Sequence, residues 1–138
     1  MKAAFNYLAA RPDVDPKRIG SIGWSMGGGL ALQLAVHEPR LAACLVNYGM
    51  PPATPAEIQK ISVPVLGNFG VLDRGVPAGK VLAFERVMKA LNKSVNIKLY
   101  PRAGHAFANP NNEKGYRPEA AADAWSRILA FLHSSKET

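Results

Sequence analysis

The chain has 138 residues, 48% of them hydrophobic and 20% charged, a size and balance that suit one globular domain with its own core. Its net charge of +7 comes from 17 Lys and Arg against 10 Asp and Glu, but these cations are spread almost evenly, with no run beyond Lys17-Arg18. Phosphate binding needs clustered charge, so a solvated basic surface is expected and no nucleic-acid partner. There is no apolar run of the 18 or so residues that a membrane-spanning helix requires. The single cysteine rules out an internal disulfide framework and fits a cytoplasmic setting.

Residues 2–10 place Phe5 and Leu8 on one face among alanines and read as a helix closed by Pro12. They lack the long apolar core of a signal peptide. Asp13-Val14-Asp15-Pro16 is a turn. Arg18–Trp24, with Ile19 and Ile22, reads as a strand, and residues 26–38 as a helix with Leu30, Leu34 and Ala35 at helical spacing. Pro39 ends that helix. Leu41–Tyr48 (LAACLVNY) is almost continuously apolar, the pattern of a strand covered on both faces. Residues 50–60, broken by Pro51, Pro52 and Pro55, predict a loop with at most a short helix. Val63–Leu72 is a third strand, Lys80–Asn92 an amphipathic helix through Val81, Phe84, Val87, Met88 and Leu91, and Val95–Tyr100 an alternating fourth strand. A polar loop follows, then a helix from Pro118, a favourable first-turn residue, to Leu132. Strands alternating with helices predict an α/β fold, a mostly parallel sheet of about four strands with right-handed crossovers, forming a single domain over 1–138.

One stretch organises the rest. Gly23-Trp24-Ser25-Met26-Gly27 is a G-x-S-x-G motif between a predicted strand and a predicted helix, the context of a nucleophile elbow, in which the serine hydroxyl stands out above the sheet's carboxyl edge. Backbone passes close to such a serine, so the flanking positions favour glycine, which has no Cβ to clash; Gly23 and Gly27 fill them, with Gly28 and Gly29 extending the close approach. Ligand-handling residues of an open α/β sheet lie at the carboxyl ends of strands. Ser25, Asp73 and His105 each follow a predicted strand, in the order Ser…Asp…His of the α/β-hydrolase triad. Histidine would take the serine proton, the carboxylate would hold the tautomer, and the backbone N–H of Met26, next after the nucleophile, is the expected oxyanion donor.

The remaining chemistry-bearing residues have plainer readings. His37 and His133 sit near helix C-termini, where a cation suits the dipole. Cys44, in mid-strand, reads as a small core residue. Asp13 and Asp15 belong to a turn, and Asp123 to an exposed helical position. No Cys/His/Asp/Glu grouping has metal-ligand spacing, so neither a metal nor a cofactor is expected.

Gly23-Trp24-Ser25-Met26-Gly27-Gly28, Val71-Leu72-Asp73-Arg74, YPRAGHAFANP from Tyr100 to Pro110, and RPEAAADAWSRILAFL from Arg117 together resemble the dienelactone hydrolase family of α/β hydrolases. The resemblance spans nearly the whole chain. It implies cleavage of a small ester or lactone through an acyl-enzyme, with Ser25, Asp73 and His105 as the triad. Two departures stand out. Well-known family members carry cysteine where this chain has Ser25, and serine with histidine is the more general ester hydrolase. Family members are also appreciably longer, so the chain is expected to hold a truncated form of the fold without its N-terminal half, including the source of the second oxyanion N–H.

Trp24, Tyr48 and Phe107 are the expected substrate-lining side chains, with Met50, Arg74 and Arg102 nearby. The strand at Arg18–Trp24 is expected to pair on one side only. An exposed apolar edge invites association, so a homodimer joined along the nucleophile strand is expected. The alternative to an esterase is a non-catalytic remnant, or half of a split hydrolase acting as an interaction module.

Overall fold

In the computed structural model, which describes residues 1–134, four strands pair in chain order and every pairing is parallel. They are β1 (Gly20–Trp24), β2 (Ala43–Asn47), β3 (Val65–Gly70) and β4 (Val95–Tyr100). The helices are α1 (Lys2–Ala9), α2 (Met26–His37), α3 (Pro55–Gln59), α4 (Ala78–Ala90) and α5 (Pro118–Ser134). The four-stranded parallel α/β architecture read from the sequence is therefore present. Boundary differences have local causes. The first strand starts at Gly20 rather than Arg18 because Pro16–Arg18 form a 3-10 turn, capped where the Asp15 carboxylate accepts the Lys17 N–H. The third strand ends at Gly70, beyond which the Val71 N–H bonds the last residue of β4, Tyr100, and the Leu72 N–H bonds Ala103 in the loop after it. Proline lacks the donor a helix interior needs, so α3 opens with Pro55 in its first turn, and Thr54 accepts the Glu57 N–H as its cap.

The apolar runs at β2 and β3 are buried along their full length. Cys44, Val46, Val65 and Phe69 meet Phe5 of α1, Leu32 and Ala35 of α2, Ile58 of α3 and Val81, Phe84 and Met88 of α4 in one core. Ala43, Leu45 and Leu66 face the other way, against Ile128 of α5. Alternation of side chains along a strand thus feeds a core on each face of the sheet. β1 lies at one end of the sheet, and among the described residues its outer edge has no strand partner. Ile22 and Trp24 on β1 and Trp125, Leu129 and Leu132 on α5 are all substantially exposed. No helix among the described residues is long and apolar enough to cross a membrane.

Glu38 closes α2 with a buried carboxylate. It accepts the Arg40 Nε and Nη2 donors at 2.7 and 2.8 Å. The same guanidinium donates to Asn6 of α1 and lies 4.5 Å from the centre of the Phe5 ring. The Arg40 hydrogen bonds outweigh burial and hold the Glu38 carboxyl down to about 2. A carboxyl whose folded-state pKa lies below its unfolded value stabilises the fold above the unfolded value and loses that contribution as pH falls through the folded one. The acid limb of unfolding between pH 4.5 and about 2 should therefore flatten in Glu38→Gln, as read by denaturant midpoints across that range.

Candidate active site

The turn between β1 and α2 is strained at the residue the motif singles out. Ser25 has φ 54 and ψ −123, outside the regions an L-residue normally occupies. It is held there from both sides. Its N–H donates to Asn47 C=O at 2.9 Å, and its own C=O accepts the Gly29 N–H at 3.2 Å as α2 begins. A Cβ at Gly23 would lie 2.0 Å from the Gly27 carbonyl oxygen, so only glycine lets β1 pass under the helix start. Gly27 itself is a correction to the sequence reading. A Cβ there meets nothing within 4 Å among the described residues. Gly23→Ala should thus destabilise by about 3 kcal/mol or more, since the opposing atoms are backbone and cannot swing aside. Gly27→Ala should fall within about 1 kcal/mol of the parent, on the stabilising side because alanine favours helix. Urea unfolding of the two variants checks both.

Asp73 and His105 come from loops that are laced together. Beyond β3, Leu72 N–H donates to Ala103 C=O at 2.9 Å, and Val71 N–H to Tyr100 C=O at 3.0 Å. The backbones approach so closely that a Cβ at Gly70 would lie 2.3 Å from the Ala103 oxygen. Asn112 Nδ2 donates to the carbonyls of His105 and Ala106 at 3.1 and 3.3 Å, pinning the loop from its far side. This polar anchor was not picked out in the sequence.

The three side chains meet in a line. Ser25 Oγ lies 2.7 Å from His105 Nε2, and His105 Nδ1 lies 2.8 Å from Asp73 Oδ2. A carboxylate can only accept, so the proton of that second bond sits on Nδ1, and Nε2 is left as acceptor for the serine hydroxyl. Asp73 is buried, and its other oxygen accepts the Gly75 and Val76 N–H groups at 2.8 and 2.9 Å. Ser25 is half-buried, and the imidazole is partly open to solvent. Met26 is the first residue of α2, where backbone N–H groups have no partner within the helix and the dipole end is positive.

The expected lining residues are distributed differently from one another. Tyr48 and Phe107 are both buried, 3% and 0% exposed, which corrects their reading as ligand-lining side chains. Tyr48, at φ 39, packs edge-on against the His105 ring at 5.4 Å and against Phe107 at 5.3 Å. Tyr48 forms a floor beneath the imidazole, and Phe107 backs Tyr48. Trp24 is exposed, and it lies over a shallow depression with Asn47, Ala108 and Trp125. Met50, Arg74 and Arg102 are exposed. Asp123, read as an exposed helical position, receives Lys98 Nζ at 2.6 Å and the Tyr100 hydroxyl at 2.7 Å. These bonds hold its carboxyl below the usual range and tie β4 to α5. Cys44 is buried, and burial pushes its thiol up to about 11, far from thiolate chemistry.

Residues 1–135 match the sequence profile of the dienelactone hydrolase family. A protein named "Putative carboxymethylenebutenolidase" from Saccharolobus solfataricus is 40% identical over 129 residues, covering 94% of this chain and 48% of that protein. One of the same name from Yersinia pestis is 33% identical over 135 residues, covering 91% and 50%. The chain spans about half the length of the curated relatives it matches. The crystal structure titled "Putative Dienelactone Hydrolase" from Klebsiella pneumoniae superposes with a TM-score of 0.84 at 29% identity, over 96% of this chain and 58% of that one. With an α/β sheet that superposes on that structure and a family profile matched from Met1 to the end of α5, the chain belongs to the dienelactone hydrolase family.

Proposed function

We propose that this chain carries the nucleophilic centre of a serine hydrolase that cleaves carboxylic esters or lactones through an acyl-enzyme. The observation that supports this most directly is the Ser25–His105–Asp73 line, with contacts of 2.7 and 2.8 Å built on a strained elbow. In the proposed reaction His105 Nε2 takes the Ser25 proton as Oγ attacks the substrate carbonyl carbon. The carbonyl oxygen becomes an oxyanion beside the Met26 N–H at the positive end of α2, a kind of donor worth on the order of 10²–10³ in rate. His105 then returns the proton to the leaving alkoxide. A water, deprotonated by the same nitrogen, attacks the acyl carbon, the bond to Ser25 Oγ breaks, and His105 returns the proton to that oxygen as the acid leaves. Asp73 holds the imidazole in the required tautomer and stabilises the imidazolium. The relatives named carboxymethylenebutenolidase add support for a lactone or small ester as the substrate class.

The test needs no knowledge of the natural substrate. A fluorophosphonate probe should label Ser25 stoichiometrically, as located by peptide mass spectrometry, and the label should vanish in His105→Ala. No adduct on a folded sample would overturn the hydrolase reading and favour a non-catalytic interaction module.

A further inference from the structure

Beneath the site, on the face of the sheet covered by α5, hydrogen bonds from polar side chains of β2, β3, β4 and α5 link all four strands, ending on a backbone carbonyl of β1. Arg127 of α5 donates through Nε to Asn68 Oδ1 on β3 at 2.9 Å. Asn68 Nδ2 donates to Asn47 Oδ1 on β2 at 3.0 Å, and Asn47 Nδ2 reaches the Gly23 carbonyl on β1 at 3.4 Å. In the other direction, Arg127 Nη2 donates to Asn96 Oδ1 on β4 at 3.1 Å and lies 3.4 Å from the Gly67 and Asn96 carbonyls. A guanidinium can only donate, so its position dictates the rest: Asn68 must turn its oxygen to Arg127 and its amide nitrogen to Asn47, and Asn47 must then donate to Gly23. The three bonds from Arg127 through Asn68 and Asn47 to Gly23 all point the same way, from the cation to the strand that carries the serine. Such aligned bonds in a low-dielectric interior reinforce one another.

Both asparagines are 1% exposed, in strands otherwise made of apolar residues and glycine. Burying amides is less favourable than burying hydrocarbon of the same shape unless each group is paired, so cohesion of the core does not call for them. Their position does. Asn47 C=O is the acceptor for the Ser25 N–H, and Asn68 C=O is the acceptor for the Tyr48 N–H at 2.8 Å. Tyr48 lies edge-on to His105, and β3 leads from Asn68 to Asp73. The residues joined side chain to side chain are thus the ones whose backbones hold the elbow and the floor of the imidazole.

We propose that Asn47, Asn68 and Arg127 are positioning residues, a strap that sets the spacing of the carboxyl ends of β1, β2 and β3 and so keeps Ser25, His105 and Asp73 in line. The inference rests on the hydrolase reading above. None of the three touches the reacting atoms. Their effect is on geometry, where a displacement of about 1 Å can cost on the order of a hundredfold in rate.

The test compares Arg127→Met, Arg127→Lys and Asn68→Leu, each checked for folding by circular dichroism. The first readout is the downfield proton resonance of His105 Nδ1–H in the unreacted protein, assigned by its loss in His105→Gln. The second is the rate of fluorophosphonate labelling at Ser25, with kcat and KM for a short nitrophenyl ester. Arg127→Met should shift or broaden the resonance, slow labelling about tenfold or more, and lower kcat with KM within about twofold. Arg127→Lys, which keeps one cationic donor, should recover part of each loss. Asn68→Leu should resemble Arg127→Met. It also strands the Asn47 oxygen, so if it fails to fold, the two Arg127 variants carry the decision. A folded Arg127→Met with the parent resonance and labelling rate would overturn the proposal. Absence of labelling in the parent protein would sink the hydrolase reading alone, because the resonance still reports whether the strap holds His105 against Asp73.

Discussion

Ser25→Gly is expected to abolish labelling and ester turnover while making the fold more stable than Ser25→Ala does. Loss of a serine nucleophile from a working triad costs on the order of 10⁶ in kcat, so both variants should be inert. Stability separates them. At φ 54 and ψ −123, Ser25 occupies a region where a side chain costs of order 1–3 kcal/mol. Alanine keeps its Cβ in the same clash, whereas glycine has none. Glycine also gains freedom in the unfolded chain, which offsets about 0.5–1 kcal/mol of that relief. A net advantage of about 1 kcal/mol for Ser25→Gly over Ser25→Ala should remain, measurable as a difference in urea midpoints. Equal midpoints would mean that the elbow stores no strain, and the two backbone bonds to Asn47 and Gly29 would then hold a conformation that costs nothing.

Asp73→Asn is expected to lower kcat on short esters by about 10⁴ without unfolding the protein. The carboxylate divides its work between its two oxygens. Oδ1 accepts the Gly75 and Val76 N–H groups and shapes the turn after β3, and Oδ2 accepts the His105 Nδ1 proton. The amide introduced by the substitution keeps an oxygen for the turn, so the circular dichroism spectrum should match the parent. Its nitrogen, however, donates where the carboxylate accepted. His105 is then held with its proton on Nε2, facing Ser25, and that nitrogen cannot take the hydroxyl proton. Fluorophosphonate labelling should slow in parallel with turnover, because the same proton transfer precedes both. A variant that folds and retains labelling within tenfold of the parent would remove Asp73 from the proposed mechanism.

The order of elements was legible from local pattern. LAACLVNY has the pattern of a strand covered on both faces and VPVLGNFGVL reads as a strand, and β2 and β3 lie in the middle of the sheet. Val95, Ile97 and Leu99 alternate along β4, which pairs on one side only. The positions of Ser25, Asp73 and His105 were equally legible, because an α/β sheet presents loop residues at the carboxyl ends of its strands whatever the intervening sequence. Tertiary structure alone decided which side chains would be enclosed and what they would meet. Tyr48 and Phe107 read as lining residues from their place near the triad, yet they pack with Tyr100, Ala103 and Ala124 of α5, and that cluster encloses both. Gly27 shared a motif with Gly23, but its open side depends on what lies across from it, not on the motif. Asn47, Asn68 and Arg127 show the limit most clearly. Two lone asparagines in apolar strands were a visible anomaly, but their partners lie 21 and 59 residues apart in the chain. Propensity and periodicity act over one or two turns, whereas a hydrogen bond between distant side chains exists only once the sheet has set its register and α5 has docked across it.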